Sequence, residues 1–216
     1  MMTADHPTAL HSPAAERNAA PILAELQRLL PSQGLMLEIA SGTGQHAAAF
    51  SAGLPGWDWQ PTEADAALLP SIRAWCAGQP RVRPPLRLDV GALPWPAEVP
   101  ARVDALFCAN MVHISPWPAT RALMQGAGRH LKPGGVLFTY GPYLEEGVET
   151  APSNLAFDTD LRRRDARWGL RRLADVAAEA AAAGLDLDER IALPANNLLL
   201  AWRKRPGAGS AGTTRP

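Results

Sequence analysis

The chain has 216 residues, and its 21 Lys plus Arg balance its 21 Asp plus Glu, so the formal net charge is zero. That length suits one α/β domain with a sizeable core, and the even charge argues against a protein that holds nucleic acid by displacing counterions. No apolar run approaches the ~20 residues of a membrane span, and Met1 to His11 lacks the basic end and apolar stretch of a secretory signal.

Residues 1–11 and 206–216 are polar or small and read as flexible ends around a single domain over 12–205. Cys76 and Cys108 form neither a close pair nor a metal-type cluster, so reduced thiols, no metal and a cytoplasmic setting are expected. Ser12-Pro13 reads as a helix start, a capping hydroxyl followed by proline at the first helical position. Ile22, Leu23, Leu26, Leu29 and Leu30 then recur at helical spacing, with Pro21 marking a kink or a second start. Strands are expected at Leu35–Ala40, Trp57–Thr62, Leu86–Val90, Val103–Ala109 and Val136–Tyr140. Helices are expected at Gln45–Leu54, Ala64–Ala77, Ala119–Leu131 and Leu170–Ala183. Leu185–Leu193 and Asn197–Arg203 finish as two strands joined by Pro194-Ala195-Asn196, a turn too short for a parallel crossover. Regular alternation predicts a mostly parallel sheet with helices on both faces, closed by an antiparallel hairpin.

The chemistry opens where the first strand, ending Glu38-Ile39-Ala40, runs into Ser41-Gly42-Thr43-Gly44. Glycines let the backbone turn sharply and let a ligand approach, and the next helix directs its free amides and positive end toward that ligand. Gly42-Thr43-Gly44-Gln45-His46-Ala47 also satisfies the dinucleotide pattern G-x-G-x-x-A. Glu38, four residues before the first glycine, stands where methyltransferases commonly carry an acid and dinucleotide folds an apolar residue, and that resemblance, with the acids at later strand ends, favours S-adenosylmethionine over a nicotinamide. Glu63 is placed to accept both ribose hydroxyls, with Asp65 either capping the following helix or exchanging roles with it. Asp89 is placed for an adenine amino group, beside the Val90 amide. Asn110 and Met111, after the fourth strand, are expected to touch the same ligand, at the reversal of strand order. His113 is expected there too, facing outward toward a methyl acceptor. A bulky residue at Gly44 is expected to block the ligand and leave the chain folded. Leu131-Lys132-Pro133-Gly134-Gly135 is expected to stop a helix with a glycine turn.

The chain resembles the Rossmann-like class I methyltransferases. Ser12 to Asn18, Glu38 to His46, Trp59-Gln60-Pro61 and Ser153 to Gly169 are similar to the methyltransferase-like 26 family, a set of domains of unknown function. The likeness runs from about Ser12 to Lys204. It implies a three-layer α/β fold with a seven-stranded sheet, and S-adenosylmethionine held by Arg17, Asn18, Glu38, Ala40, Ser41, Gly42, Thr43, Gly44, His46, Glu63, Asp89, Val90, Asn110, Met111 and His113. Two positions depart from the pattern: Glu63 where Asp is usual, and Gly91-Ala92 where a polar residue is usual. Arg17 and Asn18 are expected to fold over the donor as a lid.

The segment Tyr140 to Trp168 is where such enzymes build an acceptor pocket, and Asn154, Phe157, Asp158, Arg162, Arg164, Asp165 and Trp168 lie in it. The arginine run either binds an anion or forms a solvated face offset by Asp158, Asp160 and Asp165. Asn196-Asn197 are expected at the same mouth. A base is useful when the acceptor is an amine, thiol or hydroxyl, and His113, Tyr143 and Asp158 are the catalytic candidates. The expected partner is a small-molecule acceptor, with neither nucleic acid nor membrane. The alternatives are a non-catalytic S-adenosylmethionine-binding interaction protein and a nicotinamide-dependent oxidoreductase.

Overall fold

Residues 9–206 are described by a computed structural model; the expectations for 1–8 and 207–216 fall outside them. Helix α1 (Pro13–Leu29) begins as the sequence dictates, with the Ser12 side chain accepting from the Ala15 amide. Pro21 lies inside α1 without ending it, so one helix stands where a kink or second start was expected. The other helices are α2 (Gln45–Gly53), α3 (Leu69–Trp75), α4 (Trp117–His130), α5 (Pro152–Arg164) and α6 (Leu173–Ala182). The strands are β1 (Gly34–Ile39), β2 (Trp57–Glu63), β3 (Leu86–Arg87), β4 (Val103–Ala109), β5 (Leu131–Gly141), β6 (Tyr143–Leu144), β7 (Arg171–Arg172), β8 (Leu185–Leu193) and β9 (Asn197–Lys204).

One seven-stranded sheet runs β3-β2-β1-β4-β5-β9-β8. Pairing is parallel from β3 through β5, while β9 lies antiparallel to both β5 and β8. Period-two alternation feeds two cores. Leu37 and Ile39 of β1, Leu106 and Cys108 of β4, and Leu198, Leu200 and Trp202 of β9 pack toward α4 and α6. Met36, Ala105, Phe107, Phe138, Leu199 and Ala201 pack on the other face, with Ile22, Leu26 and Phe50 of α1 and α2.

Several boundaries differ from expectation. The helix over 64–77 is a 3-10 turn at Ala66–Leu68 followed by α3, because Asp65 caps the turn and Pro70 restarts the helix. The third strand is two residues long, so Asp89 lies beyond its end. The Leu131 to Gly135 segment already pairs with β4 and is the bulged start of β5, with Gly134 at φ 76° carrying the irregularity. Helix α5 has few apolar repeats; a proline in its first turn, an Asp158–Arg162 pair four residues apart and three arginines in its last turn favour it instead. Leu10, inside the end expected to be loose, is tied down: its amide donates to Ser71 Oγ and its carbonyl accepts from Trp75 Nε1.

Candidate functional site

Between β1 and β4 the strand order reverses, and a cleft of about 400 Å³ opens at the carboxyl ends of the strands. Ala40, Glu63, Asp89, Val90, Asn110 and Met111 line it, with Leu88, Ile114 and Pro116 as apolar wall. Glu63 is 8% exposed. Its Oε2 accepts from the Gly42 amide at 2.8 Å, and its Oε1 from the amides of Ala64 at 2.8 Å and Asp65 at 3.1 Å. One carboxylate therefore pins the glycine loop to the end of β2 and uses three of its roughly four acceptor positions. Asp65 is exposed and caps the turn through Ala67, off the cleft wall. Asp89 is exposed and accepts from the Gly91 amide at 2.9 Å, so the departure to glycine there spares room for the turn. Ser115 also lines the cleft, and its buried Oγ has no hydrogen-bond partner among the described residues; no sequence signal had singled it out.

Ala40 and Asn110 hold left-handed backbone, at φ 54° and 62°. They end the two adjacent strands that flank the reversal. A non-glycine residue in that region costs about 1–2 kcal/mol, and such strain gathers where a ligand or a switch needs a fixed backbone.

Glu38 lies beneath the loop rather than on a cleft wall. It is 1% exposed, and its Oε2 accepts from Trp59 Nε1 at 2.8 Å. Burial pushes its carboxyl up to about 7, against the hydrogen bonds from Trp59 and Ser41 that favour the charge. Ser41 takes the Thr62 amide on its Oγ at 3.2 Å, Ser71 Oγ donates to the Thr43 carbonyl at 2.8 Å, and Gly44 packs on α3. His46 is stacked on Phe50 at 5.0 Å between centroids, with Nε2 2.6 Å from Asn18 Oδ1. Burial lowers its pKa to about 4. Residues 41–44 and His46 line neither cleft described here. They build the floor and tie α1 onto it.

A second cleft of about 580 Å³ adjoins the first at Asn110. Ala14, Arg17, Asn18 and Pro21 form one face of α1 above it, at the i, i+3, i+4, i+7 spacing of a helical stripe. That spacing was readable in the sequence. Ser153, Asn154 and Phe157 of α5, Tyr140 and Pro142 at the end of β5, and Pro194, Ala195 and Asn197 of the last hairpin complete it. Arg17 and Asn18 thus stand over this second cleft rather than the first. Asn154 Nδ2 donates to the Asn196 carbonyl at 3.0 Å, joining α5 to the hairpin.

None of the three catalytic candidates lines either cleft. His113, expected to face outward, is 1% exposed, on a 3-10 turn (Met111–His113), edge-on to Phe157 at 5.7 Å. Burial lowers its pKa to about 3, helped by the Arg171 charge, and its Nε2 has no partner among the described residues. Tyr143 is buried on the α4/α6 side of the sheet, across from Tyr140. Its hydroxyl donates to Thr139 Oγ1 at 2.9 Å, which also accepts from Trp202 Nε1 at 2.9 Å. Tyr143→Phe is therefore expected to cost about 1 kcal/mol of stability, the worth of one internal hydrogen bond, and to leave ligand affinity unchanged in calorimetry. Asp158 accepts from Arg162 Nε at 2.8 Å and from the Leu170 amide at 2.7 Å. Burial pushes its carboxyl up, but these partners outweigh it and hold the pKa below the ordinary range. It clamps the chain as it leaves α5. The arginine run is paired in the same way: Arg163 with Asp160, Arg167 with Asp165, and Arg164 over the Trp168 ring at 5.3 Å. Of the two readings of that run, the offset surface is the one this geometry supports.

Residues 9–204 match the family of proteins of unknown function designated DUF938. The chain belongs to this family. Among solved structures it is similar to an O-methyltransferase family protein from Burkholderia thailandensis, with TM-score 0.74 and 16% identity over 90% of this chain and 58% of that one. It is similar to human N-acetylserotonin methyltransferase in complex with SAM, with TM-score 0.73 and 15% identity over 89% and 53%. A methyltransferase in calicheamicin biosynthesis, in its SAH-bound form, gives TM-score 0.70 and 18% identity over 88% and 55%. The chain spans a little over half the length of each. At these identities the likeness is one of fold: the domain has the Rossmann-like class I methyltransferase architecture.

Proposed function

We propose that this domain is an S-adenosylmethionine-dependent methyltransferase acting on a small molecule, and that its resemblance to the methyltransferase-like 26 family reflects that activity. The carrying observation is the first cleft, which meets the chemistry of an adenosyl group at the point of strand reversal. Glu63, with one acceptor position left, and Asp89 follow successive strands and suit a ribose hydroxyl and an adenine amine. Leu88, Val90, Met111 and Ile114 offer apolar faces to the ring, and the unpartnered Ser115 hydroxyl is free for a polar atom. The strained Ala40 and Asn110 fix the backbone where the donor would pass from the first cleft toward the second. S-adenosylmethionine, when bound, supplies an already activated methyl group, so the protein's part is to align the reactants and exclude water. That division of labour agrees with the absence of His113, Tyr143 and Asp158 from these two clefts, although Tyr143 lines a smaller neighbouring pocket of about 210 Å³ with Glu145 and Asn154. The free, poorly exposed Cys76 and Cys108 accord with a reducing, cytoplasmic setting.

The placement of His113, Tyr143 and Asp158 off both clefts favours a second reading, a binding protein without catalysis, which predicts donor binding and no methyl transfer to any acceptor. Both readings require S-adenosylhomocysteine to raise the thermal midpoint while NAD and NADP do not. A midpoint that rises with NAD alone removes them both. Glu63→Ala should weaken S-adenosylhomocysteine by about 1–3 kcal/mol in calorimetry, the cost of losing a charged acceptor together with its hold on Gly42. Asp65→Ala should leave affinity unchanged, and the reverse pattern would put the ribose on the wrong acid.

A further inference from the structure

Charge is distributed unevenly between the two clefts. Glu63 and Asp89 are the charged residues on the first, and both are acids. Arg17 is the single charged residue on the second, and it makes no salt bridge among the described residues. Arg17 is exposed, and an unpaired guanidinium at the rim of a cleft attracts anions and repels cations.

The groups around Arg17 extend that preference. Tyr140 faces the same cleft, its hydroxyl pushed up by burial and held back by the Asn18 amide and the Arg17 charge beside it. It therefore stays protonated at neutral pH and can donate a hydrogen bond. Pro21 has no N–H to give the Arg17 carbonyl four residues back, and it turns a flat apolar face to the cleft instead. Phe157 also lines the cleft, its ring packed edge-on against His113 at 5.7 Å. The Asn197 amide nitrogen is spent on the Pro194 and Ala195 carbonyls, at 3.1 and 3.2 Å. Its Oδ1 accepts nothing among the described residues and is not among the buried unpartnered atoms, so it is open to the cleft as an acceptor. A cation beside an O–H, apolar side chains and an amide oxygen, all around one cleft, describe a ligand by its chemistry.

We infer that the second cleft binds a small aromatic carboxylate bearing a ring hydroxyl, with the carboxylate on Arg17 and Tyr140 and the ring against Phe157. This rests on the methyltransferase reading for the site's role as acceptor pocket, and it moves Arg17 from the donor to the acceptor. A guanidinium suits a carboxylate better than an ammonium does, because its planar donors match the two oxygens.

The test is calorimetry on the full chain saturated with S-adenosylhomocysteine, using three phenols that differ in the charge of the para group: 4-hydroxybenzoate (anionic), phenol (none) and tyramine (cationic). The expected order is 4-hydroxybenzoate bound, phenol weaker and tyramine not bound. Arg17→Gln should weaken 4-hydroxybenzoate by about tenfold to a hundredfold, with phenol and S-adenosylhomocysteine unchanged. Arg17→Lys, which keeps the charge and loses the fork, should recover part of the loss. Tyramine binding as well as 4-hydroxybenzoate overturns the inference, as does saturation by none of the probes below about 10 mM. Loss of S-adenosylhomocysteine affinity in Arg17→Gln also overturns it and returns Arg17 to the donor. Failure of the wild-type chain to bind S-adenosylhomocysteine is a different result, which removes the methyltransferase reading itself.

Discussion

Gly44→Ala is expected to destabilise the fold by about 2–5 kcal/mol, combining about 1–2 kcal/mol for a side chain at positive φ with an overpacking cost of about 1–3 kcal/mol. Gly44 caps α2 at φ 95°, and a Cβ built there lies 2.6 Å from Ile72 Cα. The obstacle is the backbone of α3, so no rotamer change relieves it. Gly42, two residues earlier at φ 57°, has nothing within 4 Å of an added Cβ, and Gly42→Ala should cost only the conformational part, about 1 kcal/mol. Equilibrium urea unfolding of the two variants beside the wild type separates these terms. Equal midpoints for the two would mean that α3 does not press on the loop. The expectation from sequence was a folded Gly44 variant that cannot bind; the close approach of α3 makes the fold itself the first casualty. The two glycines of the loop thus have different physical reasons, one packing and one conformational.

The fold was legible because its signals are local and periodic. Val103–Ala109 reads as an apolar strand and is one, and the Pro194 turn forces the antiparallel close. What escaped was set by tertiary partners. Helix α5 carries Asp, Arg and Asn where an apolar stripe would announce a helix, and its length is fixed by ion pairs and by contact with the hairpin. Strands β6 and β7 are two residues each, too short for a period to show, and Arg171 of β7 is anchored by the carbonyls of Val112, Ser115 and Arg167. At the cleft, residue type and position at or just past strand ends pointed to Glu63, Asp89 and Asn110, because the carboxyl ends of the parallel strands border one crevice. Type alone could not say which way a side chain turns. Tyr140 and Tyr143, three residues apart, end on opposite faces of the sheet, and the sequence singled out the one whose hydroxyl is locked in the core. Strand parity was the available signal: Tyr140 continues the Val136, Phe138 series toward α1.

Acidification from pH 6.5 to 4.5 is expected to lower the unfolding free energy by about 2–3 kcal/mol, through buried groups rather than surface pairs. His46 and His113 have folded pKa values near 4 and 3, depressed chiefly by burial. Their contribution is complete above the unfolded value of about 6.5 and is lost as the pH falls, because the unfolded chain takes up the protons that the folded one refuses. Over two pH units the pair forfeits about 5 kcal/mol. Glu38 works the other way. Its folded value near 7 lies above the unfolded one, so its stabilising effect is complete at low pH and disappears as pH rises through 7. Over the same window it returns about 2 kcal/mol. Surface carboxylates held low by arginine, such as Asp158 and Asp186, forfeit their stabilisation only at more acidic pH. Glu38→Gln separates the opposing contributions, since the amide oxygen can still accept from Trp59 Nε1 and carries no proton to exchange. In that variant the acid loss should grow to about 5 kcal/mol, and stability at pH 8 should rise above wild type by about 3 kcal/mol. Urea unfolding of both proteins at pH 4.5, 6.5 and 8 measures every one of these differences. A Glu38→Gln variant no more stable than wild type at pH 8 would mean that the carboxylate is charged at little cost beneath the glycine loop. An acid loss unchanged by the substitution would give the whole pH dependence to the two histidines.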